Sequence, residues 1–164
     1  MIRRISRWLC LGVMGLSAAS ISWAQGFPTT IEPVVGAALL CRDQIDPYYF
    51  YQYLTTHFNA PVRTEGGAYW FKAEGELYGL KIRELFVSTH ETSQLWKMDF
   101  LGAVVEQSAK QAQEILAKNK GMNFRANPYE QILRAGEGSI IRDVSANGQE
   151  LSKLYCVKYR ANGF

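Results

Sequence analysis

The sequence has few of the residues that most often carry out chemistry, since it contains two histidines and three cysteines among 164 residues. His57 and His90 have no second histidine, cysteine or acid at a metal-ligand spacing. The sequence also lacks a Gly-x-Ser-x-Gly nucleophile turn and a phosphate-binding glycine loop. We therefore predict no metal, no cofactor and no catalytic residue.

The first 24 residues have the order of a cleavable Sec-type signal peptide. Three arginines precede an apolar stretch over residues 8–16, and the small residues Ser22 and Ala24 occupy the positions that a signal peptidase reads. We predict cleavage after Ala24 and a periplasmic or secreted protein. An uncleaved membrane anchor is the alternative, but the charge-free run is shorter than the roughly 20 apolar residues that cross a bilayer.

Removing the leader makes the chain neutral by formal count. The 18 Lys and Arg side chains fall to 15, equal to the 15 Asp and Glu, because three arginines and no acid lie in the leader. A neutral chain lacks the basic excess of a nucleic-acid-binding protein, so no nucleic acid partner is expected. We predict a flexible lead-in over residues 25–33 and a single domain over residues 34–164.

Two cysteines, Cys41 and Cys156, remain after Cys10 leaves with the leader. In an oxidising compartment they are expected to form a disulfide that ties the start of the domain to its end. The alternative is two separate buried thiols.

Capping and turn residues give the strongest local signals. Asp46-Pro47 predicts a helix over residues 47–58, and Ser108 with Gln111 has the spacing of a capping box for a second helix. Asn147-Gly148 predicts a hairpin. The remaining segments are three alternating strands over 68–73, 77–88 and 95–105, a short helix from about 127 to 135, and the hairpin strands over 139–145 and 150–160.

Together these segments predict an α+β fold. Its antiparallel sheet consists of a three-strand meander plus the C-terminal hairpin, and two to three helices pack on one face. The apolar phase slips at Arg83-Glu84-Leu85, which predicts a β-bulge. Residues 34–41 fit either a buried strand or a segment that leads into a helix.

The outward face of the meander is the first candidate binding surface. If Tyr69, Phe71, Leu80, Ile82, Met98 and Phe100 face the helices, then the opposite face carries Trp70, Lys72, Lys81, Arg83, Lys97 and Asp99. Tryptophan and arginine often anchor interfaces, so this face predicts docking of an acidic partner. The alternative is a solvated face on which lysine stems or another strand shield the tryptophan.

The tyrosines at the start of the first helix form the second candidate surface. Tyr48, Tyr49 and Tyr53 fall outside the side that Phe50 and Leu54 would bury. They either pack beneath residues 34–41 or form a contact surface.

These observations favour an exported, non-enzymatic binding or accessory protein that acts on another envelope or secreted protein, such as an inhibitor or immunity-type factor. The alternative is a small envelope hydrolase that uses scattered carboxylates with His57 or His90. Assembly into an envelope complex is a third possibility. No motif in the sequence identifies a family.

Overall fold

The structure is a computed structural model that describes residues 27–127, 129–146 and 148–160. The predicted leader and its cleavage site after Ala24 lie outside these residues. The helical elements of the described part are a π-helical turn, Glu32–Gly36, and the α-helices α1 (Ala37–Leu39), α2 (Pro47–Phe58), α3 (His90–Trp96) and α4 (Ala109–Lys120). Its strands are β1 (Arg63–Glu65), β2 (Ala68–Leu77), β3 (Leu80–Ser88), β4 (Met98–Val105), β5 (Phe124–Asn127), β6 (Ile132–Ala135), β7 (Ile140–Ala146) and β8 (Gln149–Tyr159).

The strands form one antiparallel sheet in the order β1-β2-β3-β4-β8-β7-β6-β5. The first four strands follow one another, and α4 then carries the chain to the far edge, from which β5 to β8 return toward the middle. The last strand therefore pairs with β4 in the interior of the sheet. The predicted α+β class is confirmed, with more strands and helices than the sequence indicated.

The main core lies between the helices and one face of the sheet. Phe71, Leu85, Leu101 and Leu154 project from consecutive strands into this core and are fully buried. They pack with side chains from the helices, including Leu39, Leu54 and Leu116. Side chains alternate along a strand, so the sequence neighbours of these core residues on each strand point to the opposite face of the sheet. We call it the helix-free face, because α1, α2 and α4 pack on the other face.

The two well-marked helices begin as predicted. The Asp46 carboxylate accepts hydrogen bonds from the backbone N–H groups of Tyr48 and Tyr49, and Pro47 occupies the first helical position. Ser108 and Gln111 form the reciprocal capping box of α4, which ends at Gly121 in the left-handed conformation.

The disulfide between Cys41 and Cys156 is confirmed. It joins the turn after α1 to β8, across a sequence separation of 115 residues. Both residues are buried in the main core. Of residues 34–41, for which the sequence left two options, 34–39 are helical, and Leu40 and Cys41 form the turn that follows.

Phe27 and Ile31, which precede residue 34, pack against the rest of the domain. Phe27 contacts Phe58 edge-on, with ring centroids 5.6 Å apart, and Ile31 is buried in the core. The π-helical turn then begins at Glu32, inside the segment predicted as a flexible lead-in.

The predicted strand over residues 95–105 is wrong in its first part and in its orientation. Thr89 caps α3, which continues to Trp96, and Lys97 adopts a left-handed conformation before β4 begins at Met98. Met98 and Phe100 therefore lie on the helix-free face, whereas Leu101 enters the main core. The prediction had placed both on the helix side.

The predicted short helix over 127–135 is also wrong, because the chain forms the β5–β6 hairpin there. The Asn127 side chain accepts a hydrogen bond from the N–H of Tyr129, which is an Asx turn rather than a helix cap. Gln131 then has φ of 52°, which a right-handed helix cannot accommodate. The other predicted irregularities are confirmed, since β3 bulges at Arg83 and β7 pairs with β8 on either side of residues 147 and 148.

Asp99 is a further correction, because it is buried rather than exposed beside Lys97. Its carboxylate accepts two hydrogen bonds from Arg160, at 2.6 and 3.0 Å, and this pairing raises the pKa of the guanidinium. The Arg160 side chain is half-exposed, so its charge remains partly hydrated. The pair fixes the end of β8 to the start of β4.

We expect Arg160→Gln to lower the free energy of unfolding by about 1–3 kcal/mol, because it leaves a buried carboxylate without its charged partner. Chemical denaturation measures the loss. Lys118→Gln, at an exposed position on α4, is the control and is expected to change the free energy by less than about 0.5 kcal/mol. Equal stability of the two variants would contradict the structural role of the Asp99 pair.

Candidate functional site

A row of large side chains crosses the helix-free face at its centre. Trp70 lies opposite Phe86 in the β2–β3 pairing, Phe86 lies opposite Gly102, and Gly102 lies opposite Tyr155. The Trp70 and Phe86 ring centroids are 4.6 Å apart, and those of Phe86 and Phe100 are 6.2 Å apart. Trp70 and Phe86 belong to a second apolar cluster, against which Phe100 and Tyr155 pack. Helices α1, α2 and α4 pack in the main core on the other face of the sheet.

Gly102 makes this arrangement possible. A Cβ atom at this position would overlap the Phe86 ring, so the missing side chain lets the ring lie flat across β4. The aromatic surface thereby becomes continuous from β2 to β8 instead of being interrupted at the middle strand.

A cleft of about 510 Å³ opens over this surface. Its floor is aromatic, and Phe100, Tyr155 and Met98 are only half-buried within it. Burial raises the pKa of the Tyr155 phenol above its ordinary value. The residues that line the cleft come from five strands and the β1–β2 turn: Gly66, Ala68, Trp70, Phe86, Met98, Phe100, Arg142, Asp143, Val144, Lys153, Tyr155 and Val157.

An arginine over the Trp70 ring is neutralised within the chain. Arg63 lies 4.3 Å from the centre of the Trp70 ring and donates two hydrogen bonds to Glu84, at 2.5 and 2.8 Å. The hydrogen bond from Arg63 lowers the pKa of Glu84, and the same bond raises the pKa of Arg63. Trp70 in turn donates its indole N–H to the carbonyl of Glu65. The charge of Arg63 and the indole N–H of Trp70 therefore both have partners within the chain.

The cleft is also lined by two cations, Lys153 and Arg142. The Lys153 ammonium lies 4.8 Å from the centre of the Trp70 ring and 5.7 Å from that of Phe86. Burial and then the nearby Arg63 charge lower the pKa of Lys153. Arg142 is its direct cross-strand neighbour. Within the described residues, neither Lys153 nor Arg142 forms an ion pair.

Of the surface predicted from the meander, only Trp70 lines the cleft. It lies on the predicted face but is 8% exposed, beneath Arg63 and Lys153. Lys72 pairs with Glu74 at 3.1 Å, and Arg83 donates a hydrogen bond to Gln149. The other two predicted cations are not beside the tryptophan either, since Lys81 lies beside Gln107 and Lys97 follows α3.

The predicted tyrosine surface lies on α2, on the other side of the sheet from the cleft. Tyr48 and Tyr49 are 65% and 50% exposed. Tyr53 is half-buried, and its hydroxyl is 2.7 Å from the Thr30 hydroxyl. The structure therefore does not bring these tyrosines together with Trp70, and their role in binding remains a prediction.

Several residues of the cleft were not identified from the sequence, above all Lys153 and Phe86. The alternation Leu151, Lys153, Tyr155, Val157 along β8 was a usable signal, since it assigns an apolar surface to the face opposite the buried Leu154 and Cys156. Because the prediction placed Met98 and Phe100 of β4 on the wrong face, it did not bring this β8 surface together with Trp70.

The histidines lie away from this cleft. His57 is exposed, and its ring centroid lies 4.5 Å from that of Tyr53. The His90 Nε2 atom is 2.8 Å from the Gln94 Nε2 atom. Among residues 27–127, 129–146 and 148–160, no group of three or more His, Cys, Asp or Glu side chains is arranged to hold a metal ion. No helix in this described part is long and apolar enough to cross a membrane.

No protein-family model, curated protein or solved structure matches this chain.

Proposed function

We propose that this chain is exported from the cytoplasm and binds another extracytoplasmic protein through the helix-free face of its sheet. The observation that carries this proposal is the cleft, which combines a half-buried aromatic lining with two cations, Lys153 and Arg142, that form no ion pair within the described residues. Half-buried aromatic side chains are unfavourable in water and are typical of surfaces that a partner covers.

Export is supported by two independent features. The arginine-containing start and the apolar stretch after it have the pattern of a signal peptide. The buried Cys41–Cys156 disulfide fits the oxidising compartment to which such a leader directs a protein.

Binding is better supported than the alternative of a hydrolase. A hydrolase of the kind considered requires His57 or His90 beside a carboxylate in a pocket. The contacts of these histidines are instead with Tyr53 and Gln94, and neither histidine lines the cleft.

Affinity capture from an extracytoplasmic extract of the native source tests the proposal. The disulfide-bonded chain is used as bait, and the companions that stay bound are identified by mass. Met98→Glu places a charge in the half-buried lining of the cleft, whereas Tyr129→Glu changes a side chain that is 95% exposed in the β5–β6 turn. We expect a companion that the unsubstituted chain and Tyr129→Glu retain and that Met98→Glu loses.

The melting temperatures of both variants are compared first, so that a loss of capture is not a loss of folding. A companion retained equally by all three proteins would exclude the helix-free face as the binding surface.

A further inference from the structure

Four cations lie on the second half of the helix-free face as two cross-strand pairs. The pairs are offset by two residues along the strands, because Arg134 lies opposite Ile140 rather than Arg142. The set contains one residue from each of four consecutive strands: Lys153 on β8, Arg142 on β7, Arg134 on β6 and Arg125 on β5. Their neighbours Leu154, Ile141, Leu133 and Phe124 pack in or against the main core on the helix side, so alternation directs the four cations to the helix-free face. We call this set the cationic row.

The cationic row brings like charges together. Lys153 lies directly opposite Arg142, and Arg134 lies directly opposite Arg125. Like charges at directly opposite positions destabilise an antiparallel pair. Among the described residues only one of the four forms an ion pair, namely Arg134 with Glu130 at 3.6 Å. An unfavourable arrangement that the protein does not itself neutralise is expected where a ligand supplies the opposite charge.

Both cation pairs border a depression. The aromatic cleft is lined by Lys153 and Arg142. A second, polar depression of about 660 Å³ lies at the β5–β6 hairpin and the end of α4, where Arg125 and Arg134 line it together with Glu137.

We infer that the segment bound by the helix-free face is a short acidic peptide with an aromatic or aliphatic residue at one end. This inference rests on the proposed function and specifies the chemistry of the partner. The apolar side chain occupies the aromatic cleft, a carboxylate beside it lies between Lys153 and Arg142, and further carboxylates face Arg134 and Arg125.

The length of the row favours a peptide over a single fatty-acid anion. Neighbouring strands are about 4.8 Å apart, and the two pairs are offset by about 7 Å along the strands, so the four cations span roughly 16 Å, which an extended chain covers with about five residues. A fatty acid would neutralise one position and leave the others unpaired. The aromatic cleft lies within the roughly 300–1,000 Å³ of pockets that enclose small ligands, a size suited to one or two side chains.

Fluorescence anisotropy with a defined probe tests this inference. The probe is a dye-labelled peptide of four acidic residues followed by phenylalanine and leucine. One control peptide carries glutamines in place of the acids, and a second carries serines in place of the two apolar residues. We expect the acidic, apolar peptide to bind at least tenfold more tightly than either control, and its affinity to fall as salt is added.

Variants of the protein locate the site. Lys153→Met and Arg142→Gln are expected to weaken binding of the acidic probe at least tenfold without lowering the melting temperature, because each removes one member of a like-charged pair. Lys72→Gln, on the first half of the sheet, is the matched control and is expected to change affinity by less than twofold.

Equal binding of the acidic and glutamine peptides, or unchanged affinity of Lys153→Met, would overturn the inference. Competition by oleate but not by the peptide would overturn it in favour of an acyl anion. If Met98→Glu loses a companion that the unsubstituted chain captures, but the acidic peptide does not bind, the proposed function stands and the inference about the ligand is wrong. If capture does not depend on Met98, the proposed function itself falls.

Discussion

Replacing Cys41 and Cys156 together with serine is expected to lower the free energy of unfolding by about 4–5 kcal/mol, the largest stability effect that we predict. The disulfide closes a loop with a sequence separation of 115 residues, so its loss returns a large amount of conformational freedom to the unfolded chain. Denaturation by guanidinium with and without a reductant measures the change.

The reductant supplies the control for this prediction. Reducing the unsubstituted protein should lower its stability to that of the double serine variant, whereas the variant itself should not respond. Both sulfurs are buried, so reduction is carried out in denaturant before refolding. An unsubstituted protein that refolds with the same stability in reductant would show that the disulfide contributes little.

Trp70→Ala is expected to lower the free energy of unfolding by about 3–5 kcal/mol, which is typical when a large aromatic side chain is removed from a packed site. The indole is 8% exposed, packs against Phe86 and donates a hydrogen bond to the Glu65 carbonyl. Its removal also takes away the ring beneath Arg63 and Lys153.

Two matched variants test the reasoning about Trp70. Trp96→Ala removes a tryptophan that is 73% exposed and is expected to change stability by less than about 0.5 kcal/mol. Trp70→Phe retains an aromatic ring and loses the indole hydrogen bond, so we expect a loss of about 1–2 kcal/mol. If Trp70→Ala were no less stable than Trp96→Ala, the second apolar cluster would not contribute to folding.

Local chemistry made much of the fold predictable. Asp46-Pro47 and the Ser108–Gln111 capping box each satisfy backbone donors within a few residues, so the start of each helix is encoded where it occurs. The disulfide was also predictable. Once the predicted leader is set aside, only two cysteines remain, and they are expected to pair in an oxidising compartment.

The secondary-structure predictions failed where one sequence pattern is compatible with two local structures. Trp96, Met98 and Phe100 alternate as a strand would, yet Thr89 accepts a hydrogen bond from the Thr92 N–H and starts a helix that ends at Trp96. Asn127-Pro128 resembles a helix start, but the Asn127 side chain forms a turn instead. In both cases the same residue types serve two local structures, and tertiary packing selects one.

The candidate site was predictable only at Trp70. The site depends on the orientation of β4 and on the return of β8 to pair with it, which brings Lys153 over a ring from the other half of the sheet. Neither hydropathy nor spacing specifies that pairing, because it is set by the path of the chain through α4.

The order of the strands also constrains how the protein is made. β8 is the last strand of the described residues, yet it occupies an interior position and holds one sulfur of the disulfide. Until this strand has been synthesised, β4 and β7 lack their shared neighbour, and the first four strands cannot join β5, β6 and β7 in one sheet. Under the proposed export, this delay would keep the chain without its complete sheet, which is the condition that transport through a channel for unfolded polypeptides requires.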